Sequence, residues 1–332
     1  MRVTQSSYPK VSVIVASYNN QDTIAECLKS VLALDYPAGY VEVIVMDGVS
    51  KDETVKIAQQ FPVKVISIRL NAPAAYNYAQ KIASHPILGF IDSDAKVESD
   101  WLKKLVPHLD EPQVAGVSGS IETWNQDNPW ARSIGYELKN RYRRLGKYTG
   151  RIATMNLLLK KSVVEEVGGW DEKLPSQYDT DFGFRMASKG YKIAYEPSAV
   201  CYHYNRPTLK AYYRQQLQYG KNTLKLYFKH GRLAKGDEIT DVGMNVQPVL
   251  LLGVAVLFFL GLVPMLRFLW FGSLAVLLGM LIYFTYCAAK ISVKYGDWSA
   301  MRLVVLYFVR SGAWFDGAVS TTLTFITGRG KQ

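Results

Sequence analysis

Two carboxylates one residue apart, Asp92 and Asp94, close a short apolar run in which Ile87, Leu88, Phe90 and Ile91 surround Gly89. Such a run reads as a buried parallel strand. In an open α/β sheet, ligands bind just beyond the C-terminal strand ends. Side chains alternate along a strand, so Asp92 and Asp94 emerge together at that edge while Ser93 points the other way. Two such carboxylates repel unless a cation lies between them, and hard oxygen ligands suit Mg²⁺ or Mn²⁺. An Asp-x-Asp pair also caps helices or faces solvent in many chains, so its neighbours decide its meaning.

Those neighbours follow from the elements around it. Positions 10–16 form a dense Val/Ile strand, followed by Ser17-Tyr18-Asn19-Asn20 and a helical pattern at Ile24, Cys27, Leu28, Val31 and Leu32. A second strand at 41–46 ends on Asp47-Gly48, where Ser50 and Glu53 have the spacing of a capping box. A third strand at 63–68, a helix at 72–83 and the apolar run as fourth strand complete the alternation. This order predicts an α/β fold with a doubly wound, mostly parallel sheet and right-handed crossovers. Ser17, Tyr18, Asn19, Asp47 and the Asp92/Asp94 pair then line one crevice. A ring, amides and an acid suit a nucleobase and ribose, and the acid pair suits a diphosphate. No Gly-x-Gly-x-x-Gly follows the first strand and no Walker loop is present, which counts against a dinucleotide-binding enzyme and an NTPase.

The chain of 332 residues has room for one large domain and a smaller appendage. Its net charge of +11 points to an acidic partner. Without a nucleic-acid motif, phosphate and anionic lipid are the partners it favours. Cys27, Cys201 and Cys287 are too few and too scattered for a disulfide framework or a zinc signature, which fits a reducing cytosol.

Three separated stretches now resemble one family. Val13-Ile-Val-Ala-Ser-Tyr-Asn-Asn20, Val45-Met-Asp-Gly-Val-Ser-Lys-Asp52 and Phe90-Ile-Asp-Ser-Asp94 are similar to family 2 glycosyltransferases of the GT-A (nucleotide-diphospho-sugar transferase) fold. Val167-Gly-Gly-Trp-Asp171 and Tyr178-Asp-Thr-Asp-Phe-Gly-Phe-Arg185 resemble that family's acceptor-side motif. The likeness covers about 10–230 and is nearest to the membrane-attached enzymes of exopolysaccharide and lipid-linked glycan synthesis. It implies that Asp47 binds base or ribose with Ser17 and Asn19, and that Asp92 and Asp94 hold Mn²⁺ or Mg²⁺ against the diphosphate of a nucleotide-sugar donor. Asn77 falls where relatives carry an Arg-Asn pair, with Tyr76 in the Arg position. Asp179 matches the general base. Tyr178 replaces a usual acid before it, which leaves Asp181 as a competitor. His203 stands where relatives place a ligand of the metal or diphosphate, and Arg214 where processive relatives have a Gln-x-x-Arg-Trp motif absent here.

The remaining chain reads as membrane apparatus. Leu209, Tyr213, Leu217, Leu224 and Phe228 recur at helical spacing beside Lys210, Arg214, Lys221 and Lys225, the pattern of an interfacial helix. Lys139, Arg141, Arg143, Arg144, Lys147 and Arg151 interleave with tyrosines and suit anionic headgroups or a pyrophosphate-linked acceptor. Segments 249–266 and 268–289 are each close to the ~20 residues that cross a bilayer, and basic flanks place both ends in the cytosol. Segment 303–327 is apolar enough to span but is interrupted by Arg310 and Asp316. A third span places Arg329 and Lys331 outside, against the charge rule, and a re-entrant or interfacial helix, the preferred alternative, keeps them inside. The domains expected are a cytosolic catalytic domain at 1–206, an interfacial helix and linker at 207–245, and a membrane region at 246–332. The function implied is an inverting, metal-dependent transfer of sugar to a lipid-linked (polyprenyl) saccharide at the cytosolic face of the cell membrane. Charging of a polyprenyl phosphate itself, or a catalytically silent membrane scaffold, are the alternatives.

Overall fold

Polar alternation is missing from the first strand because both of its faces are covered. In the computed structural model, which describes residues 8–327, β1 (Val11–Ser17) is buried along almost its whole length. It is followed by α1 (Ile24–Leu32), β2 (Val41–Asp47), α2 (Thr54–Ala58), β3 (Lys64–Ser67), α3 (Ala72–Ile82) and β4 (Ile87–Asp92). Alternate residues of β1 feed two cores. Val11, Val13 and Val15 pack with Ile24, Cys27, Leu28 and Val31 of α1, which share one helical face. Ile14 packs on the other side with Ile44, Leu88, Phe90, Tyr76 and Ala79.

The strand order β3-β2-β1-β4 is parallel throughout. The chain moves outward from β1 to β3, then returns to β1's other side for β4. This makes a topological switch point between β1 and β4, where the two exits diverge and leave a crevice. Beyond β4 the sheet becomes mixed. After β5 (Ala95–Val97), α4 (Trp101–Leu105) and β6 (Val114–Thr123) comes α5 (Pro129–Tyr142), then β7 (Tyr148–Thr149), β8 (Leu157–Lys160), α6 (Lys161–Val167), α7 (Tyr178–Ser188) and β9 (Lys192–His203). β8 runs antiparallel to both β4 and β6, β5 and β7 run antiparallel to β9, and β6 with β9 is again parallel. The parallel sheet foreseen from the sequence is therefore its N-terminal half.

Contacts divide the chain into two units. The sheet unit holds 1–124 and 145–204, and the helical unit holds 125–144 and 205–332. The second contains α5, α8 (Leu209–Lys229), α9 (Val242–Leu260), α10 (Leu269–Tyr295) and α11 (Leu303–Ile326). α9 and α10 are long and apolar enough to cross a membrane, and only 11% and 22% of their apolar windows are buried. A soluble core helix would be covered instead. Arg310 of α11 is buried, and its Nη1 donates to Glu137 of α5 at 2.6 Å. Asp316 accepts a hydrogen bond from Tyr213 at 2.5 Å. The two charges that interrupt this apolar helix are thus both paired. Arg329 and Lys331 lie outside the described residues.

α8 docks on α11 through a face the leucine pattern does not mark. Tyr212, Gln216, Gly220 and Thr223 are buried, whereas Phe228 of the expected stripe is 80% exposed. Small residues let the backbones touch: a Cβ on Gly317 would stand 2.6 Å from the Lys221 nitrogen and 2.7 Å from the Gly220 carbonyl carbon. Backbone cannot swing aside as a side chain can. Gly317→Leu is therefore expected to separate the two helices and cost at least about 1–3 kcal/mol. A thermal melt of the full chain in detergent measures it, and an unchanged midpoint would show that the contact carries no weight.

Candidate active site

The switch point collects side chains by register. Ser17 at the end of β1 lies opposite Asp47 at the end of β2, and Ala16 opposite Asp92 at the end of β4. With strands about 4.8 Å apart, Ser17 and Asp47 share one face at neighbouring strand ends, while Asp92, level with Ala16, turns to the other face beside Tyr76.

Asp47 is 1% exposed, and its carboxylate is fully engaged. Oδ2 accepts from the Ser50 backbone N–H at 2.9 Å and the Ser67 hydroxyl at 2.8 Å, while Oδ1 accepts from the Ser50 hydroxyl. Ser50 was expected to cap α2 with Glu53, and it does not. That helix starts without a side-chain cap, and the Ser50 Oγ accepts the Asn19 N–H at 2.8 Å instead. Ser50 is drawn away because a buried carboxylate needs donors more than an exposed helix end does. Asn19 itself sits at φ +52° and its side-chain oxygen accepts the Lys51 N–H at 2.8 Å, so the two loops are stitched together. Tyr18 is 56% exposed at the rim. The Ser17 hydroxyl is buried and has no hydrogen-bond partner among the described residues, which leaves it free for a ligand.

On the other side, Ser93 and Asp94 turn the chain from β4 directly into β5. Pairing of β5 with β9 sets Ala95 against His203, and so brings the His203 Nε2 to 3.5 Å from Asp94 Oδ1. Both residues are buried. Asp92 accepts a hydrogen bond from the Tyr76 hydroxyl at 3.1 Å. Burial and the neighbouring Asp94 charge push the Asp92 carboxyl up to about 6, opposed by His203 and Tyr76 and reinforced by Asp179. A carboxylate so disfavoured gains from a cation beside it. Among the described residues no three His, Cys, Asp or Glu side chains are gathered closely enough to cage an ion alone. The donor set suits instead an ion held by one or two carboxylates that completes its shell with phosphate oxygens.

Tyr76 is a residue the sequence reading passed over, seeing only a missing arginine. It is fully buried in an aromatic cluster with Phe90, Trp170 and Tyr178, and only its hydroxyl reaches the site. Asn77, beside it, has a different task from the one expected. Its amide donates to the Trp170 carbonyl at 2.9 Å and Glu172 at 2.8 Å, and its oxygen accepts the Trp170 N–H at 2.8 Å. Both amide hydrogens are spent on the 168–172 turn, so none is left for a nucleotide. Gly169 of that turn has φ +69°, and a Cβ there would lie 2.5 Å from the Asn77 oxygen. Gly169→Ala is expected to cost about 1–3 kcal/mol from backbone strain, with a further loss as Asn77 is displaced. A thermal melt checks this, and a wild-type midpoint would exclude it.

The same turn leads into α7, whose first turn carries Asp179 and Asp181. They have separated fates. Asp181 is 0% exposed and accepts from the Arg185 Nε at 2.8 Å, while the same guanidinium donates to the Val167 and Gly169 carbonyls at 2.8 and 2.6 Å. That geometry holds the turn and closes Asp181 to an incoming hydroxyl. Asp179 is partly buried and accepts the Thr180 N–H at 2.7 Å. Burial raises its carboxyl above the ordinary aspartate value, and Arg151 and the Thr180 hydrogen bonds counter only part of the rise. Tyr178, the residue before it, packs its ring 5.9 Å from that of Tyr76, the same Tyr76 whose hydroxyl meets Asp92. Arg214 is exposed on α8 within the helical unit.

Comparison with known proteins fits this arrangement. Residues 12–168 match the model of glycosyl transferase family 2. Glycosyltransferase AglE of Haloferax volcanii is 28% identical over 230 residues, covering 67% of this chain and 75% of that one. Poly-beta-1,6-N-acetyl-D-glucosamine synthase of Staphylococcus epidermidis is 25% identical over 224 residues, 64% of this chain, and the chain spans only about half (54%) of the synthase's length. Among solved structures, a mannosyltransferase from Pyrobaculum calidifontis, in complex with GDP-Man and Mn²⁺, superposes with a TM-score of 0.59 over 96% of this chain and 88% of its own at 20% identity, a likeness of fold. The match begins one residue into β1 and takes in the strand ends that carry Ser17, Asp47 and Asp92, while Asp179 and His203 lie beyond it. Residues 12–168 therefore carry a family 2 glycosyltransferase domain on a GT-A sheet, and the relatives of the chain are glycosyltransferases, polysaccharide synthases among them.

Proposed function

We propose that the protein transfers a sugar from a nucleotide-diphosphate donor to a lipid-linked saccharide, with inversion, at the cytosolic face of a membrane it crosses more than once. The observation that carries this reading is the acid constellation: Asp92 and Asp94 at the switch point, with Asp179 next to Tyr178, whose ring packs against the Tyr76 that donates to Asp92. The Mn²⁺ and GDP-Man complex of the structurally similar mannosyltransferase supports the donor and metal halves of the reading.

In this reading the Asp47 loop and the Ser17 hydroxyl face base and ribose. Asp94 and Asp92, with His203, would hold Mn²⁺ or Mg²⁺, which when bound neutralises charge on the diphosphate. Asp179 accepts the proton of the acceptor hydroxyl as its oxygen attacks the anomeric carbon. The bond from that carbon to the diphosphate breaks, and the nucleoside diphosphate leaves with the electron pair. A single displacement of this kind inverts the centre. Asp179 takes the role in preference to Asp181 because Asp181 is sealed by Arg185. The apolar, largely uncovered α9 and α10 support a membrane-held enzyme, and a membrane-held acceptor follows from that location.

The test is a panel of UDP-, GDP- and dTDP-sugars with full-length protein, Mn²⁺ and lipid extract, following nucleotide release and labelled lipid. One donor is expected to turn over only with metal. Absence of release from every donor overturns the catalytic reading, and release without labelled lipid overturns the acceptor.

A further inference from the structure

The helical unit contains a cavity of about 470 Å³ walled by α5, α9, α10 and α11. Six cations line it: Arg141, Arg143, Arg144, Lys290, Lys294 and Arg310. Only two carboxylates accompany them. Glu137 is committed to Arg310 at 2.6 Å, and Asp241 faces Arg144 at 3.8 Å. Six positive charges less two negative leaves four without a carboxylate in the wall. Lys290 and Lys294 repeat one turn apart near the end of α10, a spacing at which like charges repel. The Nε of Arg141 and that of Arg310 are both buried without a hydrogen-bond partner among the described residues, and Arg310 is only 4% exposed. Arg310 gives its Nη groups to Glu137 and Gln247, and Arg141 one Nη to the Met244 sulfur. The two buried Nε–H groups left over, beside the lysines, call for an anion with several oxygens.

The cavity's position says what bears that anion. α9 and α10 form a hairpin, so the start of α9, with Asp241 and Met244, stands level with the end of α10, with Lys290 and Lys294. The cavity thus lies at one end of the two apolar helices, where headgroups sit, and basic pockets between membrane helices take lipid phosphates. Met244, Phe284 and Ile291 give it an apolar side, and Val246, Val249 and Tyr286 leave an uncovered apolar surface along the same helices. A free phosphate has no use for that surface, but an acyl or isoprenoid chain does.

We infer that this cavity is a binding site for a lipid-borne phosphate, with Arg141, Arg310 and Lys294 as its central ligands. The inference rests on the reading of α9 and α10 as membrane spans, and it is independent of donor chemistry. Two lipids share the chemistry: an anionic glycerophospholipid and an isoprenoid phosphate. Native mass spectrometry of the full-length protein in detergent separates them, with phosphatidylglycerol, phosphatidylcholine, undecaprenyl phosphate and inorganic phosphate as probes. Phosphatidylglycerol is expected to bind at least about tenfold more tightly than phosphatidylcholine, since cations near the membrane surface favour a net-anionic headgroup. The double variant Arg141→Gln/Lys294→Gln is expected to lose that preference while keeping its melting temperature in lipid-free detergent. A tenfold advantage of undecaprenyl phosphate over phosphatidylglycerol identifies the isoprenoid, and equal binding identifies a bilayer lipid; each supports the site. Equal binding of phosphatidylcholine, an undiminished preference in the folded variant, or full displacement by equimolar inorganic phosphate overturns it. Asp94→Ala must retain the preference, so a failure of the donor reading leaves this result standing.

Discussion

Asp94→Ala is expected to lower turnover by about 10³-fold and to leave the free protein folded. On the proposed reading the variant removes a ligand of the ion that would neutralise the leaving diphosphate, a contribution of several kcal/mol, at about 1.4 kcal/mol per decade. The intact fold follows from the charge already present. Asp92 is held up near 6 first by burial and then by Asp94. Its folded value lies above its unfolded one, so the native state binds more protons between those values. Stability is accordingly lost as pH rises from the ordinary aspartate value through about 6, and the penalty is fully present at neutral pH. Deleting Asp94 takes away one cause of that penalty. At pH 7.5 the variant is expected to melt no lower than wild type, and the rise in melting temperature that Mn²⁺ gives the wild type is expected to vanish. That rise is also expected to shrink at pH 5, where Asp92 is protonated. Turnover within tenfold of wild type in Asp94→Ala would remove the metal assignment.

The separate fates of neighbouring residues show what the sequence could and could not deliver. Strands β1 to β4 were legible because Val11–Ser17 and Ile87–Asp92 are buried on both faces, and continuous burial leaves a continuous apolar run. The parallel direction implied by the order of the elements then put the ends of β1, β2 and β4, with Ser17, Asp47 and Asp92, at one edge of the sheet, while their register came only with the fold. The partner of a polar side chain had no such signal. Ser50, with Glu53 three residues on, has the spacing of a helix cap, yet it serves a carboxylate that reaches it only through the fold. Asn77 and Asp181 sit within motif-like stretches, but their partners are Trp170 and Arg185. Tyr76 sits where an arginine was anticipated, and its burial among aromatic rings hides a hydroxyl aimed at Asp92. The docking face of α8 was missed for a related reason. Gly220 and Gly317 allow backbones to touch, and a hydrophobic pattern registers side chains rather than their absence. The sequence also divided the chain linearly, whereas α5 lies within the helical unit although sheet strands follow it.

Asp179→Asn tests the acceptor more sharply than any donor experiment. Removing a general base from a hydroxyl transfer costs about 10²–10⁴ in kcat. The replacement keeps the size of the side chain and an oxygen for the Thr180 N–H, so α7 retains its first turn. Because burial lifts the Asp179 carboxyl, the acidic limb of kcat/KM in the wild type is expected above the ordinary aspartate range, with activity falling as pH drops. Asp92 contributes to the same limb, being raised to about 6. The residual activity of Asp179→Asn is therefore expected to keep a limb from Asp92 alone. A lipid phosphate acceptor behaves differently. Its oxygen is already anionic near neutral pH, no proton has to be removed, and Asp179→Asn would work at close to the wild-type rate. A drop of two decades or more with unchanged donor KM supports a sugar hydroxyl as nucleophile. Near-wild-type kcat would reassign the acceptor to the phosphate, and Asp179 to positioning alone.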